Sequence, residues 1–266
     1  IVPESAFLVG SRKEEYVDSS SQIVGNRVVG STKTLFHKIM YTWATCPVWM
    51  RPKLNKSHMH VDILDNGSLI DGEATNENFG AGDRRTGVFL DEFGANDPVT
   101  ATHIRNRVAD VSDSVIYCST HYYGVGHPYG KLRFSGKVKV VVLPWYRNPN
   151  KNAGLYRSPD LNYVEVMDRD YYKTHYPTIE IPVDKFKLSE LEVDLFSQGV
   201  DTNLKFVADG NAIQLRSPWY DVEESRRDAR DMAQNINMSP AGAGDMFFNP
   251  QVLQRIRAEH IKKPVV

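Results

Sequence analysis

Short apolar runs separated by stretches of helical spacing are the feature that most limits what this chain can fold into. "AFLVG" (Ala6 to Gly10), "GVFLD" (Gly87 to Asp91), "SVIYCS" (Ser114 to Ser119) and "KVKVVVL" (Lys137 to Leu143) read as strands. Near-continuous apolar character is what strands buried on both faces require. Between two of them, "HIRNRVADVSD" has helical spacing. Upstream, Leu35, Phe36, Ile39, Met40 and Trp43 recur along one helical face that must stop before Pro47. Strands alternating with helices imply an α/β fold with a mostly parallel sheet flanked by helices. One local exception is "HVDIL" and "SLIDG", which flank Asp65-Asn66-Gly67 and read as a hairpin. Ser11 and Glu14 have the spacing of a capping box, so "SRKEEYVD" is expected to open a helix.

The later part of the chain has its own signals. Ser189 and Glu192 form a second capping-box pattern closed by Gly199, and a hairpin is expected to turn at Asp209-Gly210. "DVEESRRDARDMAQNI" reads as a polar helix and "NPQVLQRIRAEHI" as a basic one ending before Pro264.

At 266 residues the chain is long enough for a sizeable core. Its longest apolar run, Val140 to Leu143, is far short of the ~18 residues a membrane span needs. Cys46 and Cys118 are the only cysteines, too few for a zinc site or a disulfide framework, and they read as free thiols. With 32 basic and 33 acidic residues, overall charge gives no support for nucleic-acid binding and leaves room only for a local basic surface. The first residue is Ile1 and no signal-peptide pattern follows, so the chain is expected to be cut from a longer one.

The "GVFLD" run delivers two adjacent acids, Asp91 and Glu92, to a strand end. An apolar strand ending in two carboxylates is how a nucleotide-hydrolysing site presents a magnesium-associated acid and a water-activating acid. It is also how an ordinary strand ends in solvent. A phosphate loop should accompany the first reading, as a glycine followed five residues later by Gly-Lys-Ser or Gly-Lys-Thr. The nearest approach, "GNRVVGSTKT" (Gly25 to Thr34), carries its lysine two positions late and follows no convincing strand. It reads as a surface loop leading into the Leu35 helix.

Other clusters read as surface chemistry. Asp168 and Asp170 form an acidic turn, and His58 and His60 have metal-like spacing without a third ligand. Arg226, Arg227 and Arg230 suit i,i+4 ion pairs on a solvated helix. Arg255, Arg257, Lys262 and Lys263 suit a phosphate backbone or a neighbouring domain.

Several segments, taken in order, resemble the large terminase subunit of tailed phages, the ATPase motor that packages DNA. "FLVGSRKEEYVD" is similar to the strand and helix after the Walker A helix, and "LFHKIMYTWATCPVWMRP" to the next helix and its aromatic-proline segment. "GAGDRRTGVFLDEFG" resembles the Walker B region and "VIYCSTHYYGVGHPYGKL" the coupling motif. "LPWYRNPNKNAGLY" and "RSPWYDVEESRRDARDMAQNINMSPAGAGDMFF" resemble the end of the ATPase domain and its exit toward a nuclease.

The resemblance implies a P-loop NTPase-like fold of the additional-strand class without its P-loop segment. It places an ATPase core at residues 1–216 and a helical segment at 217–266 leading toward an RNase H-like nuclease domain. ATP and Mg²⁺ are the implied cofactors, with Asp91 holding Mg²⁺ through water and Glu92 as the catalytic glutamate. Ser119 and Thr120 stand where the coupling motif senses the γ-phosphate, and Arg84 and Arg85 where arginines face a neighbouring subunit. Ala81 stands where relatives often carry an arginine. The implied partners are double-stranded DNA, the portal protein and procapsid, the small terminase subunit and further copies in a ring. The implied location is the host cytoplasm at the portal vertex, encoded by a phage or prophage. On this reading the chain begins just after the Walker A loop and ends where the nuclease domain would start. The competing class is a non-hydrolysing remnant that keeps the sheet as a binding module. A metal-dependent nuclease lacks the cluster of acids on successive strands it would need.

Overall fold

The structure is a computed structural model that describes residues 3–25, 27–160, 163–175, 186–187 and 214–239. The chain divides into two compact units, Ile1–Lys139 and Val140–Val266. The boundary expected at 216/217 falls inside the second.

In the first unit, strand β1 (Ala6–Ser11) is followed by the single turn α1 (Glu14–Val17) and a small hairpin of β2 (Gln22–Val24) and β3 (Arg27–Val29). Helix α2 (Leu35–Thr45) comes next, then β4 (Leu54–Ser57), β5 (His60–Ile63), β6 (Ser68–Ala74) and β7 (Gly87–Leu90). Helix α3 (Pro98–Val111), β8 (Val115–Tyr117) and α4 (Pro128–Arg133) complete it. Six strands form one sheet in the order β4-β5-β6-β1-β7-β8. The run β6-β1-β7-β8 is parallel, whereas β4, β5 and β6 form an antiparallel meander. The expected hairpin is the β5–β6 connection, where Gly67 takes the positive φ of +69° that favours glycine.

Side-chain alternation along the parallel strands explains why helices cover both faces. Leu8, Val88 and Leu90 pack with Ala101, Ile104, Val108 and Val111 of α3. The intervening residues Val9 and Phe89 pack with Val17, Leu35, Phe36 and Met40. Two successive residues of one strand thus serve two different cores, which a strand with a polar face cannot do. Helix starts are set locally. Thr34 Oγ1 accepts from His37 N–H at α2, and the Asp97 carboxylate accepts from Val99 and Thr100 N–H at α3, where Pro98 occupies the first turn.

Two expectations fail here. Ser11 caps no helix: it is the last residue of β1, and the cap position of α1 belongs to Lys13, which makes no side-chain cap bond. The strand pattern runs one residue further than the capping spacing suggested, since Ser11 is held in the ladder opposite Ala74. The stretch 137–143 forms no strand, and Val141 and Leu143 are 70% and 77% exposed. β-propensity alone does not order a segment whose backbone finds no neighbouring strand.

The second unit carries a four-stranded antiparallel sheet in the order β11-β10-β9-β12, from β9 (Tyr156–Asp160), β10 (Tyr163–Val166), β11 (Phe186–Lys187) and β12 (Gln214–Arg216). Helix α5 (Arg169–His175) follows β10, and α6 (Pro218–Arg226) follows β12. Arg216 is fully buried and gives its Nε–H to Asp221 at 2.8 Å and Nη2–H to Glu224 at 2.5 Å, while Tyr156 O–H donates to Asp221 at 2.8 Å. Burial pushes the Asp221 carboxyl up to about 6, against the pull of Arg216. The polar helix expected from Asp221 onward is broken at Arg227, because Asp228 accepts from Asp231 N–H and starts a new turn. Arg226 and Arg227 both pair with Glu223, and Arg227 also with Asp231, as the i,i+3 and i,i+4 spacing suggests. The expected capping box at Ser189, the Asp209-Gly210 turn and the basic helix near Arg255 lie outside the described residues.

Helix α2 presses directly on the sheet at Gly72, where an added Cβ would stand 2.6 Å from both Phe36 and Val17 side chains. Gly72→Ala is expected to cost about 1–3 kcal/mol through overpacking. Urea unfolding that leaves the midpoint unchanged would show the contact to be slack.

Candidate functional site

The four parallel strands all end at one rim, and the acids stand in its middle. The ladder closes with Asp91 N–H donating to the Gly10 carbonyl (2.8 Å) and Cys118 N–H donating to the Leu90 carbonyl (2.8 Å). Asp91 and Glu92 therefore follow the carboxyl end of β7, between the ends of β1 and β8. That is the place where ligands bind in open α/β sheets.

Asp91 is half-buried. Burial raises its pKa above the ordinary carboxylate range, Lys38 of α2 pulls it down, and the neighbouring Glu92 pushes it up. Glu92 leaves the strand in the left-handed region (φ 52°, ψ 32°), uncommon for a residue with a side chain. Its carboxylate accepts from Arg12 Nε at 3.0 Å, and the Arg12 guanidinium lies 5.9 Å over the Tyr122 ring. Both partners of the pair are more than a third exposed, so it orients the glutamate more than it stabilises the fold.

The segment after β8 meets the loop that carries the acids directly. Phe93 N–H donates to the Cys118 carbonyl (3.2 Å), and Gly94 N–H donates to Ser119 Oγ (2.9 Å). Ser119 Oγ–H in turn donates to the Thr120 carbonyl at 2.9 Å. The hydroxyl expected to face a phosphate instead latches the loop after Glu92 to the end of β8. Tyr129 O–H donates to the Ser119 carbonyl (2.7 Å), which ties α4 to the same point. His127 caps α4 through Nδ1 and gives Nε2–H to the Asn96 carbonyl at 3.0 Å. Burial holds its pKa below the ordinary imidazole value.

Arg84 and Arg85 lie before β7, and Arg85 N–H donates to the Val111 carbonyl. They sit at the start of that strand, whereas the acids sit at its end. Arg85 is turned into its own chain: Nη1 meets Asp71 at 2.5 Å, and only 11% of the side chain is exposed. Arg84 is exposed and makes no ion pair among the described residues. The other oxygen of Asp71 meets His60 Nδ1 at 2.5 Å, and His60 Nε2 meets Asp62 at 2.9 Å. His58 pairs with Glu14 instead, at 2.9 Å. Asp168 accepts from Gly154 and Tyr171 N–H, so it serves a turn and a helix start. Among the described residues no group of three or more His, Cys, Asp or Glu has the geometry to hold a metal ion.

The near-phosphate loop is likewise placed outside the sheet. Gly25 to Thr34 holds β3 and the cap of α2, and the strand immediately before it, β2, belongs to the separate two-stranded hairpin and not to the large sheet. Sequence reasoning missed three features of the rim: the Arg12–Glu92 pair, the buried Ser11 hydroxyl beside Asp91, and His121. The side-chain atoms Ser11 Oγ, His37 Nδ1 and His121 Nδ1 are buried without a hydrogen-bond partner among the described residues. Ser11 alone carried a signal, and its capping spacing pointed elsewhere.

No family model matches this chain, and no curated protein does. No helix among the described residues is long and apolar enough to cross a membrane.

Two stability measurements test the rim. Asp91→Asn removes a carboxylate whose ionisation burial opposes, and Glu92→Gly relieves the left-handed backbone. Each is expected to raise the melting midpoint, the second through a gain of about 0.5–1 kcal/mol in stability. A lower midpoint in both would mean that the acids are placed there by packing. For His60, hydrogen bonding to Asp71 raises the pKa above 6.5, burial opposes, and Asp62 adds to the rise. Its stabilisation is therefore full below 6.5 and is lost as pH rises through the folded value. Burial lowers the pKa of His121 and His127, so they act only below 6.5, where acid destabilises. The stability gap between the native chain and His60→Gln is expected to shrink from pH 6 upward; a gap independent of pH excludes a charged His60.

Proposed function

We propose that this chain is the acid-and-coupling part of an ATP-driven DNA-packaging motor of the terminase large-subunit kind. The observation that carries the reading is the join between Asp91-Glu92 and the end of β8 through Gly94 and Ser119. Adjacent parallel strands let a change at the acids reach the coupling strand through one hydrogen bond. The fold assignment to the P-loop NTPase class, ATP and Mg²⁺ as cofactors, double-stranded DNA, portal, small subunit and ring partners, and the packaging role all belong to this proposal.

The described residues fit part of the nucleotide site. Asp91 is a carboxylate at a strand end with a lysine nearby, suited to a metal-bound water. Among the described residues no glycine-rich turn of the large sheet offers consecutive N–H groups to phosphates. β8 is an edge of the sheet, and Ile116 on it is 60% exposed. Among the described residues of the first unit that edge is unpaired, and a further parallel strand carrying a phosphate loop would fit there, beside β8 and one strand from the acids. The role of Ser119 is correspondingly that of a latch.

A binding module without hydrolysis is favoured by one observation. Arg12 already neutralises Glu92, and a catalytic base must be released from such a partner to take a proton.

This chain by itself is expected not to hydrolyse ATP, because the backbone N–H groups and lysine of a phosphate loop supply most of the grip. Turnover abolished by Glu92→Gln would reveal a phosphate-binding loop among these residues. In a longer protein that carries the loop, Arg84→Ala is expected to lower turnover by about 10³-fold as a trans-acting arginine, at native stability and with nucleotide binding retained. Mixing with a Glu92→Gln subunit should restore part of it. Arg85→Ala is expected instead to lower stability by about 1–3 kcal/mol, because it leaves Asp71 partly buried without its cation. If Arg84→Ala has full turnover, the finger lies elsewhere.

A further inference from the structure

Directly after the Ser119–Thr120 hydroxyls, His121 is buried by its neighbours, with only 2% of its surface exposed. Its ring stacks on Phe134 (5.9 Å, 15° between planes) and lies 5.2 Å from the Tyr129 ring. Arg133, the last residue of α4, brings Nη1 to within 2.5 Å of His121 Nε2. An arginine has only donors, so His121 Nε2 must be the acceptor and the ring proton must sit on Nδ1. That Nδ1–H has no acceptor among the described residues. Leaving a buried donor unmade is unfavourable, so the tautomer is imposed by Arg133 and not chosen by the ring's other side. The ring is also kept neutral: burial first, then Arg133 and His127, bring its pKa down to about 4.

The consequence falls on the arginine. Arg12, Arg85 and Arg216 are each neutralised by carboxylates. Among the described residues no carboxylate lies within ion-pair distance of Arg133, and its guanidinium otherwise rests 5.3 Å from the Phe134 ring centroid. A neutral imidazole occupies one N–H and leaves the charge undiminished. The Nε–H and Nη2–H edge then remains available as a planar pair of donors, the geometry that takes two oxygens of one anion. Tyr129, beside the same histidine, anchors the start of α4 to the Ser119 carbonyl at the rim, one helical turn before Arg133.

We propose that Arg133 is an anion-binding residue that takes phosphoryl oxygens at the rim, with neutral His121 as its positioning residue. The inference deepens the reading of the rim as a nucleotide site, yet its test needs neither hydrolysis nor a phosphate loop. Inorganic pyrophosphate is titrated into the chain while calorimetry and nitrogen NMR of the Arg133 Nε–H and the His121 ring are followed. Binding is expected, with the Arg133 signal moving and His121 staying in the Nδ1–H form. Arg133→Gln should weaken binding about tenfold or more. His121→Phe, which keeps the stacking and loses the acceptor, should weaken it severalfold, and Arg133→Lys should recover part. Acetate should bind far more weakly if phosphoryl oxygens are the ligand. The proposal is overturned if the native chain binds no pyrophosphate, if Arg133→Gln binds equally, or if bound pyrophosphate leaves the Arg133 signal in place. Failure of ATP turnover in a longer chain, with this binding intact, would count against the motor reading alone.

Discussion

Everything at the rim depends on the parallel ladder of β1, β7 and β8. Its last rungs are the Asp91 N–H bond to Gly10 and the Cys118 N–H bond to Leu90. They bring three strand ends to one level, so that residues separated by more than 80 positions in the chain become neighbours. The ladder keeps its register because β1 and β7 bury side chains on both faces, and a slip of one residue would exchange the two cores. Leu8 and Val9 illustrate this, being adjacent in sequence and buried against different helices.

The polar groups above that ladder are already engaged with one another. Glu92 answers Arg12, Ser119 answers Gly94 and Thr120, Tyr129 answers the Ser119 carbonyl, and His121 answers Arg133. Such a network holds the loop after Glu92 and the start of α4 as one body joined to β8. Against this, the positive φ of Glu92 and the burial of Asp91 act in the opposite direction. The latch explains how strain at the acids is retained: the flanking strands determine the backbone more strongly than the local preference of Glu92 does.

Electrostatics separates the arginines in a way that residue type cannot. Arg85 and Arg84 are neighbours in sequence, yet one is folded against Asp71 and the other stays exposed. Arg133 is held by a histidine that carries no charge. Charge available to a ligand is therefore a property of the partners each guanidinium finds, and those partners sit on other strands and helices.

Much of the first unit was legible in the sequence. The strands at Ala6, Gly87 and Val115, the helix ending before Pro47, the helix before β8 and the turn at Asp65 to Gly67 follow from apolar period and turn chemistry, which are local properties. The same local rules misplaced Ser11, because a capping spacing cannot tell a helix entry from a strand held one residue longer by its neighbour. They misjudged the stretch 137–143 as well, since a strand is defined by a partner that sequence alone does not name. The acids at a strand end were also visible in the order of residues. Only the tertiary structure decided that Ser119 is a latch, that Glu92 is held by Arg12, that Arg85 belongs to Asp71 and that Arg133 keeps its charge, because each depends on contacts between segments far apart in the chain.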